Sequence, residues 1–200
     1  MREGRALIID TGIPGKQQLV LDSLRSIGLR PSDVVGIVLT HFHIDHSGSA
    51  DALRQATGAK IYIHEADAPY LEGLQPPPLP PEAPREARDA YRWFKPVKPD
   101  GLLKEGDVIE GLRVIHVPGH TPGSIALYDG RNLFAGDNLN FREGRIQGPP
   151  REFSTDYRQA VESVKSKLLP LEYDVLLPGH GDPVVGGASA RAREDLKNLS

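Results

Sequence analysis

Three histidines and one aspartate occupy six consecutive positions in the first quarter of the chain. The segment runs His41-Phe42-His43-Ile44-Asp45-His46 and holds three of the seven histidines in the 200-residue sequence. Imidazole and carboxylate groups are ligands for divalent transition metals. Residues two apart do not share a helix face, so His41 and His43 do not fit one helical surface. The pattern therefore predicts a metal site on a loop.

Three more ligand-type residues each follow a short apolar stretch and have glycine beside them. They are His120 in Gly119-His120-Thr121, Asp137 after Phe134-Ala135-Gly136, and His180 in Gly179-His180-Gly181. Glycine lets the backbone turn tightly and approach its neighbours closely. In α/β proteins, binding residues collect on the loops at the carboxyl ends of strands. We therefore expect all four segments to contribute to metal binding.

The elements that must position these residues are short strands and helices. The apolar pattern predicts strands over residues 6–9, 34–39, 60–63, 107–110, 112–117, 124–128, 132–135 and 174–177. It predicts helices over residues 19–27, 65–71, 85–94, 155–168 and 186–199. A further helix is expected to begin after a cap at Ser47 or Ser49, to run through residues 53–57 and to end at Gly58. Gly111 and Asp129-Gly130 are hairpin signals. The first strand, helix and strand predict a βαβ unit, and two sheets with helices outside them would form an α/β sandwich.

Composition narrows the class of protein. A chain of 200 residues fits a single domain, 1–200. The net charge of −3 provides no basic field for nucleic acid or for an anionic membrane. Cysteine is absent, which excludes disulfides and thiolate ligands. The apolar residues 6–9 are too few for a signal peptide or a membrane span, so we expect a cytoplasmic protein.

The segment from residue 73 to residue 99 is rich in proline. Its run Gln75-Pro76-Pro77-Pro78-Leu79-Pro80-Pro81 does not fit a helix or a central strand. We expect residues 73–99 to be an insertion that lies over a surface and forms a pocket wall. Tyr91, Trp93 and Phe94 would be its apolar contacts, and core packing is the alternative for at least one of them.

The four ligand-bearing segments, together with Ile9-Asp10-Thr11-Gly12, resemble the signature blocks of the metallo-β-lactamase fold superfamily. The resemblance covers about residues 5–182 and is strongest to the glyoxalase II branch, without that branch's C-terminal substrate domain. It implies a four-layer αββα sandwich with two divalent metal ions. Zinc is the expected metal, with iron or manganese as alternatives. Only nine residues precede Asp10, so the resemblance implies shortened N-terminal strands, and a homodimer through that sheet edge is conceivable.

The resemblance also implies a role for each residue. His41, His43 and His120 would hold the first metal, and Asp45, His46 and His180 the second. Asp137 would bridge both metals, and Asp45 and Asp137 are the acidic residues expected at the catalytic centre. Asp10 would support a ligand histidine from behind, or would cap a helix. The implied enzyme hydrolyses a small ester, thioester or lactone through a metal-bridging hydroxide.

The substrate and some alternatives stay open. Arg142 and Arg145 follow Asp137 and are candidates to hold a substrate carboxylate, although exposed arginines are more often plain surface. A small molecule is the expected partner, with no nucleic acid and no membrane. The rival functions are a phosphodiesterase, a persulfide dioxygenase with one iron, and a non-catalytic sensor. His64 and His116 are expected to be packed or hydrogen-bonded and not to be ligands.

Overall fold

The computed structural model describes residues 4–80 and 83–200, without the side chains of Ala87, Ala90 and Trp93. The chain forms two compact units. The N-terminal unit comprises the chain up to Pro77 together with Arg85–Leu103. The C-terminal unit comprises Pro78–Pro84 and Lys104–Ser200. The proline-rich segment 73–99 is thus shared between the units, and its function as a pocket wall stays a prediction, as does the single domain.

The N-terminal unit is built on a parallel four-stranded sheet. Its strands, in spatial order, are β1 Ala6–Ile9, β2 Val34–Val38, β3 Ile61–His64 and β4 Gly101–Leu103. Its helices are α1 Gln17–Ser26, α2 Ile44–Ser47, α3 Ala50–Thr57, α4 Ala68–Leu71 and α5 Arg85–Ala90, with 3-10 turns at Pro31–Asp33 and Tyr91–Trp93. The parallel β1–α1–β2 connection confirms the predicted βαβ unit.

The core of this unit comes from apolar runs that the sequence places on strands. Ile37, Ile61 and Ile63 are fully buried in the sheet. Helix α1 packs Leu21 and Leu24 into the same core, and α3 contributes Leu53. Helix α3 ends at Gly58, whose left-handed conformation (φ 73°) lets its amide donate to the carbonyl of Arg54.

The C-terminal unit contains a six-stranded mixed sheet. The strands, in chain order, are β5 Val108–Ile109, β6 Leu112–His116, β7 Ile125–Tyr128, β8 Asn132–Gly136, β11 Val175–Pro178 and β12 Val184–Val185. Their spatial order is β12-β11-β8-β7-β6-β5, and only the β8–β11 pair is parallel. A separate hairpin pairs β9 Asn140–Arg142 with β10 Arg145–Gln147.

Two helices cover hydrophobic residues of this sheet. Helix α6 Tyr157–Ser163 continues as a π-helix over Val164–Leu168, and α7 is Ala188–Asp195. Val164, Leu168 and Ala192 belong to one buried cluster with strand residues such as Leu133 and Leu176. Among the described residues, no helix has the length and apolar character needed to cross a membrane.

Several predicted elements differ from those observed. Strand β4, strand β12 and the β9–β10 hairpin were not predicted, because strands of two or three residues show no readable periodicity. The helix predicted from residue 65 begins only at Ala68, since residues 65–67 form a turn in which the Asp67 amide donates to the carbonyl of His64. The helix predicted over 85–94 ends at Ala90 and becomes a 3-10 turn.

Candidate metal centre

The ligand-rich loop of the N-terminal unit follows directly after β2. His41, His43 and His46 are buried, whereas the Asp45 side chain is 40% exposed. One ring nitrogen of His41 lies within 4.8 Å of one ring nitrogen of His43, and the same holds for His41 and His46. His46 Nε2 lies 3.7 Å from Asp45 Oδ2. The four predicted ligands of this loop are therefore close neighbours.

Asp10 organises two of these histidines from the end of the neighbouring strand β1. Its Oδ1 accepts the Thr40 amide at 2.7 Å, and its Oδ2 accepts the Thr40 hydroxyl at 2.7 Å. Asp10 Oδ2 also lies 2.8 Å from His46 Nδ1, which must be the donor because a carboxylate only accepts. His46 therefore carries its hydrogen on Nδ1 and has a lone pair at Nε2.

The Thr40 hydroxyl links Asp10 to His41 and fixes which ring nitrogen of His41 carries the hydrogen. The hydroxyl hydrogen of Thr40 is given to Asp10, so its oxygen accepts from His41 Nδ1 at 3.0 Å. His41 is thereby also held with a lone pair at Nε2, the form of imidazole that binds metals. Asp10 itself has a left-handed backbone (φ 60°), which aspartate tolerates better than most residues. The Asp10 carboxylate accepts from Thr40 and from the His46 ring, and not from a helical amide in the described part of the chain, so it is not a helix cap.

The C-terminal unit brings the other three predicted ligands together, with Asp137 between His120 and His180. Asp137 Oδ2 lies 3.5 Å from His120 Nε2, and its Oδ1 lies 3.4 Å from His180 Nε2. His120 and Asp137 are buried, and the His180 side chain is 38% exposed. Because β8 and β11 are parallel neighbours, their carboxyl ends bring Asp137 and His180 to the same sheet edge.

The residues that hold these three ligands in place carry no local sequence pattern and were not predicted. Ser154 gives its hydroxyl hydrogen to the carbonyl of Pro150 and lies 3.3 Å from His120 Nδ1, so His120 donates from Nδ1 and has a lone pair at Nε2. Asn140 accepts the amide of His180 and donates to the carbonyl of Asp137. A side chain at Gly179 would collide with the Asp137 carboxylate, so only glycine fits there.

The remaining candidates lie apart from these contacts. Arg142 is exposed on β9, and Arg145, its cross-strand partner, has its Nε 3.5 Å from the Asp195 carboxylate. His64 Nδ1 accepts the Ala66 amide, and His116 Nε2 lies 2.9 Å from the carbonyl of Pro122. Both histidines are hydrogen-bonded, as predicted.

The donor atoms of each unit suit a divalent metal ion. They are imidazole nitrogens and carboxylate oxygens without sulfur, a set that binds zinc, iron and similar ions of borderline softness. Three of the imidazoles are held in the tautomer that ligation through Nε2 requires. The residues present therefore fit the metal that the sequence resemblance implies.

Comparison with known proteins settles the family. The model of the metallo-beta-lactamase superfamily matches residues 2–180. The chain belongs to the metallo-β-lactamase superfamily. The probable metallo-hydrolase YflN of Bacillus subtilis is 30% identical over 97% of this chain and 81% of its own length. The hydroxyacylglutathione hydrolase GloC of Haemophilus influenzae is 31% identical over 99% of this chain and 90% of its own.

Solved structures agree with this family. The crystal structure of TTHA1623 in a di-iron-bound form is similar to this chain, with 32% sequence identity and a TM-score of 0.68. The match covers 92% of this chain and 86% of the TTHA1623 chain. The predicted fold class is confirmed. The protein is a metal-dependent hydrolase of the metallo-β-lactamase superfamily, and such enzymes use divalent metals.

Proposed function

We propose that the protein hydrolyses a small ester, thioester or lactone with two divalent metal ions. The proposed ligands are His41, His43, Asp45, His46, His120, Asp137 and His180. The observation that carries the proposal is the Asp137 carboxylate, whose two oxygens face two different imidazoles at 3.5 and 3.4 Å. A carboxylate with its oxygens directed to two histidines suits a bridging ligand. Two bound metals would supply an activated water and would polarise the substrate carbonyl.

A glutathione thioester is the first substrate to test. Support comes from the similarity to GloC, which extends over 99% of this chain. Zinc is the proposed metal, and the di-iron form of TTHA1623 makes iron the main alternative. The phosphodiesterase and the persulfide dioxygenase remain alternatives with their own assays. A cytoplasmic location and a homodimer stay predictions from the sequence.

We further propose that Arg142, together with Arg145, binds an anionic group of the substrate. Arg142 lies two residues after Asn140 on β9, and alternate residues of a strand share one face. The side-chain amide of Asn140 contacts the backbone carbonyl of Asp137 and the backbone N–H of His180. Arg142 therefore lies on the strand face that is directed toward these two proposed ligands. Guanidinium groups bind carboxylates through paired hydrogen bonds.

The first experiment combines metal content with a substrate panel. Protein purified without added metal or chelator should contain about two zinc ions per chain. It should hydrolyse a glutathione or acyl-coenzyme A thioester faster than a phosphodiester or a β-lactam. One iron per chain together with oxygen uptake on a persulfide would contradict the proposal and favour the dioxygenase.

Substitutions test the residues in the same assay. Asp137→Ala and His120→Ala should abolish hydrolysis, whereas His116→Gln, which keeps a donor for the Pro122 carbonyl, should not. Full activity in Asp137→Ala would refute its assignment. Arg142→Ala should raise KM for a thioester with a carboxylate and leave KM for a neutral ester unchanged. Arg131→Ala, on the exposed end of another hairpin, is the matched control.

A further inference from the structure

The segment that carries His41, His43 and Asp45 lies beyond the hydrogen-bonded part of its sheet. The last ladder contact of β2 runs from the Leu39 amide to the carbonyl of Tyr62. The following backbone is buried at Phe42, and buried amides need hydrogen-bond partners. The partners of the residues between the ligands therefore determine how firmly the ligands are placed.

The Phe42 amide, between His41 and His43, is held by a buried carboxylate. Asp67 Oδ2 accepts this N–H at 3.0 Å, and Asp67 has no exposed surface. The backbone of Asp67 is itself fixed in the turn after β3, because its amide donates to the carbonyl of His64 and its carbonyl accepts the amides of Tyr70 and Leu71. Asp67 is thus a rigid acceptor.

The Ile44 amide, between His43 and Asp45, lies next to the hydroxyl of a tyrosine from the proline-rich segment. The backbone N–H of Ile44 interacts with the Tyr91 hydroxyl oxygen and lowers the pKa of Tyr91, against the larger effect of burial. The Tyr91 ring packs against the apolar core, with its centroid 6.2 Å from that of Phe42 and 6.0 Å from that of Phe94. Burial raises the pKa of Tyr91 well above its usual range, and the carboxylates of Asp45 and Asp67 raise it further, so the hydroxyl stays neutral.

We propose that Asp67 and Tyr91 are positioning residues that fix the metal ligands His41, His43 and Asp45 through the two amides between them. Each amide is flanked by two proposed ligands, so a shift of either amide moves the imidazole or carboxylate on both sides. Side chains that orient metal ligands are typically worth ten- to a hundredfold in metal affinity. The proline-rich segment thus contributes to ligand geometry through Tyr91.

The test measures metal affinity, and it relies on the metal binding proposed above. Apoprotein of the wild type, Tyr91→Phe, Asp67→Asn and Tyr70→Phe is titrated with Zn²⁺ against a chromophoric chelator. Tyr91→Phe keeps the packed ring and removes only the oxygen. Tyr70→Phe is the matched control, because the Tyr70 ring also packs on Phe42, at 5.0 Å. Thermal unfolding of the four apoproteins reports the stability of the fold separately.

We expect Tyr91→Phe and Asp67→Asn to raise the dissociation constant of at least one Zn²⁺ by about tenfold, with Tyr70→Phe unchanged. Unchanged affinities in both variants, with only a lower unfolding temperature, would overturn the proposal. A wild type that binds no metal would overturn this proposal and the proposed function together. A wild type that binds two metals but hydrolyses nothing would refute the proposed reaction alone, and the affinities would still decide the positioning roles.

Discussion

At the scale of single residues, Asp10 stands out because one carboxylate orients two histidines. It contacts His46 directly and His41 through Thr40. Asp10→Asn keeps the size and tolerates the left-handed backbone, but removes the charge. We expect metal affinity to fall at least about tenfold. Chelator competition measures this effect, and Asp22→Asn on the exposed face of α1 is the control. Equal affinities in Asp10→Asn and wild type would show that the contacts of Asp10 serve only the fold.

Tyr173 gives a second prediction at this scale, independent of metal. Its hydroxyl is buried and makes no hydrogen bond within the described part of the chain. Burial raises the pKa of Tyr173 to about 12, against an opposing effect of Arg193. An unsatisfied buried hydroxyl costs stability, so Tyr173→Phe should be more stable than wild type at pH 7 by about 1 kcal/mol.

The pH dependence of this difference follows from the raised pKa of Tyr173. The folded form keeps its proton at a pH where the unfolded form loses it, so the stability of the wild type falls as pH rises from 10 toward 12. The phenylalanine variant lacks this loss, and its advantage should widen in that range. Urea unfolding at pH 7 and pH 11 measures both values. A variant that is less stable than wild type at pH 7 would show that the hydroxyl is satisfied in solution.

At the scale of elements, the sequence marks the proposed ligands by a local pattern, whereas the residues that support them carry no such pattern. The strands β1, β2, β8 and β11 are visible as apolar runs, and each predicted ligand segment follows such a run or lies between two of them. The supports Asp67, Asn140 and Ser154 are single polar residues whose partners are 25, 40 and 34 positions away. No local pattern marks such contacts. For Asp67, the position just after β3 could have indicated a supporting role, because binding residues often lie on the loops that follow strands.

The approach of α6 to the His120 loop is an element-scale contact that can be tested. The amides of Thr155 and Asp156 donate to the carbonyls of His120 and Gly119. A side chain at Gly119 would collide with the backbone of Ala160, and its φ of 128° favours glycine. Gly119→Ala should therefore destabilise the protein by at least about 3 kcal/mol, from the collision and the strain together.

Gly130→Ala separates the cost of backbone strain from the cost of the collision. Gly130 also has a positive φ, of 93°, but nothing lies within 4 Å of an added Cβ. The Gly130→Ala variant should therefore lose only the free energy of the backbone strain, about 1–2 kcal/mol of stability. Urea unfolding of the two variants compares them. Equal losses would mean that α6 moves aside without penalty and does not fix the His120 loop.

At the scale of the whole molecule, metal binding and folding should be linked. The proposed ligands come from residues 41 to 180, so they are far apart in an unfolded chain, and a metal ion would bind the folded protein much more tightly. Excess metal at a hundred times its dissociation constant would add about 2.7 kcal/mol to the free energy of unfolding. The unfolding temperature should therefore rise with the concentration of free Zn²⁺ and fall after chelation.

Asp137→Asn should lose most of this metal-dependent increase, because it removes the charge of the proposed bridging ligand. Asp182→Asn, an exposed site two residues after His180, should keep the increase in full. Calorimetry of the three proteins at several fixed concentrations of free metal measures the slope of unfolding temperature against metal. The same slope in all three would mean that the stabilising ion binds elsewhere. A zero slope in wild type would mean that folding creates no site, which would contradict the binuclear hydrolase itself.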